Sequence, residues 1–346
     1  MTRKKIIFLF SITILTSCKV DPEIKPELPA DNIQQVIPKG WPQPVYQFQN
    51  NPLTIDGFKL GRELFYEEML SRDNTVSCGS CHQQFAAFAH SEHDVSHGID
   101  GLLGNRNSPV LFNLNWHPAF MWDGGVNHIE VQPLAPITNP VEMDETMQNV
   151  INKLSNSQKY KNLFKNAYGD ETVNTERIFK SMAQFMGMLY SYKSKYDLHI
   201  NGEQGGEFTA QQTSGYNLFK SKCAQCHSEP LLSDFTYRNN GLSINASLQD
   251  SGRARITGDL NDLYKFKVPT LRNVLQSGPY MHDGRFTTLK QVLDHYDTGI
   301  NTSSTLDPLL STGIPLTEQE KADIIEFLST LSDYDFLYDE RFKDPN

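Results

Sequence analysis

Cysteine is scarce. The chain has five, and Cys18 closes the N-terminal apolar run, while Cys78, Cys81, Cys223 and Cys226 all fall inside two C-x-x-C-H units. No cysteine is left over for a structural disulfide. Basic clusters are also missing. After "RKK" at residues 3–5 none follows, and the net charge is −10. That excludes a nucleic-acid footprint and suits, weakly, a basic protein partner. Long apolar runs are confined to Ile6–Leu15, too short to span a membrane as a mature helix. Alternating β-branched runs are nearly absent, which predicts a mostly α fold.

What is present begins with an export pattern. "MTRKKIIFLFSITILTSC" has a basic start, an apolar stretch and small residues before Cys18, so residues 1–17 read as a signal peptide. "LTSC" resembles a bacterial lipobox, which makes Cys18 the lipidated first residue of the mature chain. Location in the periplasm or cell envelope follows, with membrane contact only through that anchor. Residues 18–50, rich in proline and polar side chains, read as a tether.

Helical periodicity starts after Asn51, with Leu60, Leu64 and Phe65 on one face. It returns with Ile178, Met182, Phe185, Met186 and Leu189, and again with Ile324, Ile325, Phe327, Leu328 and Leu331. Thr209/Gln212 and Thr317/Glu320 have the spacing of capping boxes. The polar, glycine-rich "NGEQGGEF" at 201–208 marks a boundary, giving domains 51–203 and 204–346 with one C-x-x-C-H each.

An internal repeat supports the division. "PVLFNLNWHPAFMWDG" (109–124) aligns without gaps on "PTLRNVLQSGPYMHDG" (269–284), an offset of 160. Pro109/Pro269, Leu111/Leu271, Asn113/Asn273, Met121/Met281, Asp123/Asp283 and Gly124/Gly284 are identical pairs. The expectation is two cytochrome-c-like haem domains related by duplication, their haem sites facing a shared interface.

C-x-x-C-H is the attachment unit of c-type haem: the thiols add to the vinyl groups and the histidine ligates the iron. Cys78, Cys81 and His82 would hold one haem, and Cys223, Cys226 and His227 the other. A zinc site built from two C-x-x-C knuckles is the rival. Such pairs normally lie within a few tens of residues, whereas these are 145 apart (78 to 223). A thioredoxin-like redox pair explains neither the repeated histidine nor the helical pattern.

From about Asn51 to Leu331 the sequence resembles the bacterial dihaem cytochrome c peroxidases together with MauG. The resemblance is carried by "CGSCH", "GNRNSPVLFN", "MWDGG", "QPLAPITNPVEM", "KCAQCH", "VPTLRNV" and "GPYMHDGRFTTLKQVLDHY". It implies a peroxide-reactive N-terminal haem and an electron-transfer C-terminal haem. Gln132 and Glu142 match the distal glutamine and catalytic glutamate, and Pro136 the proline that shapes the pocket. Trp122 matches a tryptophan placed between the haems. Tyr296 matches the axial position on the C-terminal haem, methionine in most peroxidases and tyrosine in MauG. Subtracting the repeat offset from 296 lands on Pro136, which cannot ligate iron. One calcium is implied, held by the Asn107 side chain and the carbonyls of Ser277 and Pro279.

Two departures stand out. Where the peroxidases carry a distal histidine this chain has Ile99, with His97 two positions earlier as a candidate cap. A Tyr296 phenolate would favour ferric iron relative to methionine. Met281, His282 and His295 are alternative ligands, with a packing or propionate role the plainer reading for His282. The expected function is reduction of hydrogen peroxide to water with electrons from a small cytochrome c or cupredoxin. The alternatives are a MauG-like enzyme that oxidises residues of a partner protein and a non-catalytic dihaem electron carrier. A homodimer is compatible with the sequence.

Overall fold

The computed structural model describes residues 33–346. The signal peptide and Cys18 lie outside them. The described residues are mostly helical, joined by long irregular segments, with one small antiparallel pairing of Tyr237–Arg238 on Phe266–Lys267.

Two helix pairs organise the chain. Ile55–Phe65 packs on Thr175–Met186, and Ala210–Lys222 packs on Glu318–Ser329. Each crossing is close because a glycine sits at the contact. A Cβ at Gly61 would lie 1.9 Å from the Ser181 carbonyl oxygen, and one at Gly215 would lie 1.9 Å from that of Asp323. Both anticipated capping boxes form: Thr209 and Gln212 satisfy each other's backbone N–H groups, as do Thr317 and Glu320.

The apolar stripes fill two cores. One is built from Leu60, Leu64, Phe65, Ile178, Met182, Phe185 and their neighbours, the other from Phe219, Ile324, Phe327, Leu328 and Leu331. Phe336, Leu337 and Phe342 belong to the first core, so the 204–346 segment contributes to both.

The part of the expected tether that is described, from Ile33 on, is docked. Trp41 meets Trp116 edge-on at 4.9 Å, the Tyr46 hydroxyl donates to Glu130 at 2.6 Å, and Phe48 is buried. Its tryptophan, tyrosine and phenylalanine find apolar partners that a free linker would lack.

The repeated segments follow the same backbone path. Asn113 and Asn273 both sit at φ 54°, and Met121 and Met281 at φ 67° and 73°. Phe120 bridges Val126, and Tyr280 bridges Phe286.

Candidate functional site

A cavity of about 960 Å³ lies between the two helix pairs, and both C-x-x-C-H segments line it. So do Trp122, Gln132, Pro136, Glu142 and Tyr296, together with Asn107, Ser277 and Pro279. These residues therefore line one shared cavity.

The cysteines are unpaired thiols. Burial pushes Cys78 up to about 12, and Cys81 and Cys223 to about 11, so they are protonated rather than thiolate. Among the described residues no three His, Cys, Asp or Glu side chains gather as a metal site, and the four-sulfur zinc alternative finds no support in the geometry.

Both histidines are oriented by the backbone. His82 Nδ1 donates to the Phe88 carbonyl at 2.7 Å, and His227 Nδ1 to the carbonyls of Leu232 (3.2 Å) and Pro269 (3.1 Å). Burial lowers the His82 pKa to about 4 and lowers that of His227 as well, so both rings are neutral. A neutral imidazole with Nδ1–H engaged presents the Nε2 lone pair, the state an iron ligand needs. Thiols and rings together fit covalently held haem.

Glu142 is set by a turn. Its N–H donates to the Asn139 carbonyl (3.0 Å), and the Asn139 side-chain amide donates to its carboxylate (2.8 Å). Burial raises the carboxyl above its ordinary range, and the Asn139 bond opposes the rise. Ile99 is buried and donates its N–H to the Glu142 carbonyl at 2.8 Å. Ile99 thus braces the glutamate segment. The His97 ring packs edge-on against His93 at 4.2 Å, and its carbonyl accepts from Cys81 Sγ at 3.4 Å.

Tyr296 lies in a π-helical turn, His295–Gly299, that extends the Leu289–Asp294 helix. Such single turns re-aim side chains at functional sites. Burial raises its phenol pKa, opposed by a hydrogen bond with Asn240. Asn240 also donates to Met281 Sδ at 3.4 Å, and its carbonyl is 2.9 Å from His295 Nε2. His295 does not line the cavity. His282 stacks on Phe266 at 3.7 Å, a packing role.

Trp122 stands where the halves meet. Its indole N–H donates to the Asn107 carbonyl at 2.8 Å, and its own carbonyl accepts from the Lys267 N–H at 2.7 Å. Asn107 spends its side-chain NH₂ on the carbonyls of His93 (3.1 Å) and Asp94 (3.2 Å), which leaves Oδ1 as the acceptor. An amide oxygen and backbone carbonyls are the kind of donors a hard cation takes, and Ser277 and Pro279 line the same cavity as Asn107.

Sequence reading missed three neighbours. Arg106 joins the halves through Asp123 (2.6 Å) and Asp250 (2.6 Å). Burial pulls Lys267 down to about 7, with Asp123 opposing, and takes His117 well below the ordinary histidine range. Asp123, identical in the repeat, was the available signal for Arg106. Nothing local marks the other two.

With this geometry in place, the chain belongs to the di-haem cytochrome c peroxidase family, whose sequence profile matches residues 56–205. Both C-x-x-C-H units of a di-haem protein are present. The chain is 33% identical to the methylamine utilization protein MauG of Methylorubrum extorquens, over 84% of this chain and 82% of that one. It is 33% identical to the cytochrome c551 peroxidase of Nitrosomonas europaea, over 70% and 73% of the two chains. A solved MauG-like protein associated with microbial copper homeostasis superposes with a TM-score of 0.81 at 32% identity, covering 89% of this chain and 98% of that one.

Proposed function

We propose that the protein is an exported, lipid-anchored peroxidase that takes hydrogen peroxide, two protons and two electrons to two waters. The electrons come one at a time from a small cytochrome c or cupredoxin. The observation that carries this reading is the convergence of Gln132, Pro136 and Glu142 on the cavity that holds Cys78, Cys81 and His82.

Haem bound through the two C-x-x-C-H segments supplies the redox chemistry. The chain's own residues supply protons and order. Glu142 takes the proton from one peroxide oxygen and delivers it to the leaving one, and Gln132 holds the substrate by hydrogen bonding. Pro136 has no group that could ligate iron, whereas the pseudo-equivalent Tyr296 would be a candidate ligand for the other haem. Trp122, bonded to both halves, is placed to relay an electron between them.

A MauG-like reading, in which residues of a partner protein are oxidised, is favoured by Tyr296 and by Ile99 in place of histidine. Relatives bear both names. The deciding experiment mixes haem-loaded protein with peroxide, with and without reduced cytochrome c. Catalytic oxidation of the cytochrome supports the peroxidase. A long-lived spectral change without turnover supports the MauG-like enzyme, and inertness leaves an electron carrier.

A further inference from the structure

Two backbone hydrogen bonds cross between the halves as counterparts. The Asn107 N–H donates to the His282 carbonyl at 2.8 Å, and the Lys267 N–H donates to the Trp122 carbonyl at 2.7 Å. Asn107 and Lys267 are 160 residues apart, as are Trp122 and His282. Each bond is therefore the other with the halves exchanged. The same exchange turns Ser277 and Pro279 into His117 and Ala119.

Applied to the calcium set, the exchange replaces Asn107 by Lys267 and the carbonyls of Ser277 and Pro279 by those of His117 and Ala119. There the Lys267 Nζ donates to the Ala119 carbonyl at 2.7 Å. An asparagine brings only a neutral oxygen and must recruit a cation, whereas a lysine brings its own charge and three donors. Asp123, next to Trp122, is the anion that acts on it.

We propose that the Lys267 Nζ, bonded to the Ala119 carbonyl and favoured in its cationic form by Asp123, takes on one side of the interface the place of the divalent ion on the other. It ties down the 117–122 loop and so positions Trp122. The inference rests on the calcium reading of Asn107, Ser277 and Pro279.

The test counts calcium bound to haem-loaded protein by elemental analysis after gel filtration, and measures Tm with and without added calcium. Wild type is expected to carry one calcium, Lys267→Met one, and Lys267→Asn two. Added calcium should recover most of the Tm lost in Lys267→Asn and none of that lost in Lys267→Met. One calcium in wild type and still one in folded Lys267→Asn overturns the inference and leaves the calcium reading standing. No calcium in wild type overturns that reading and the counterpart with it. If Lys267→Asn does not load haem, Lys267→Met decides, and a Tm equal to wild type overturns the tether.

Discussion

The Asn139 amide donates to the Glu142 carboxylate at 2.8 Å, from three residues earlier on the same turn. It is the contact that opposes the effect of burial on the glutamate.

That opposition sets a pH limit. A general base works ionised, and a raised pKa keeps it protonated further up the pH scale, so turnover falls as pH drops through that pKa. Asn139→Ala removes the bond that favours the carboxylate. The acid limb of the pH–rate profile should move to higher pH, with turnover on the alkaline side within a few-fold of wild type. An unmoved limb would detach Glu142 from proton transfer.

Glu142→Gln should leave both haems covalently attached, as judged by haem staining of denatured protein. Peroxide turnover should fall by roughly 10²–10⁴-fold, the usual contribution of a positioned acid–base group.

On the proposed ligation, replacing Tyr296 with methionine would exchange an oxygen ligand that favours ferric iron for a thioether that favours ferrous iron. Spectroelectrochemical titration should show the potential of the C-terminal haem rising while that of its partner stays near its starting value. Identical potentials and spectra would remove Tyr296 from the iron.

Arg272 is fully buried and pairs with Asp197 through two bonds of 2.9 and 2.8 Å, beneath the Trp41 ring at 4.7 Å. Arg272→Met strands the Asp197 charge and should cost roughly 3–5 kcal/mol in denaturant unfolding. The double change with Asp197→Leu removes both charges and should restore much of that loss.

Legibility in the sequence followed the range of the interactions. The helices at 210–222 and 318–329 could be read because caps and apolar stripes act within a few residues. The C-x-x-C-H units could be read because each carries its chemistry in a short run, whereas the roles expected of Gln132 and Glu142 came only from the resemblance of "QPLAPITNPVEM". Arg106, His117 and Lys267 could not. Their partners lie on other segments, and an isolated arginine, histidine or lysine in a loop looks like a solvated group. The docking of Trp41 was hidden similarly, since its ring contacts, Trp116 and Arg272, are distant in sequence.

Phe336, Leu337 and Phe342 sit in the core whose other members come from residues 58–189. During synthesis that core stays incomplete until these residues have emerged, long after its own helices have been made. Closure of the first core is thereby tied to residues that follow both helices of the second pair.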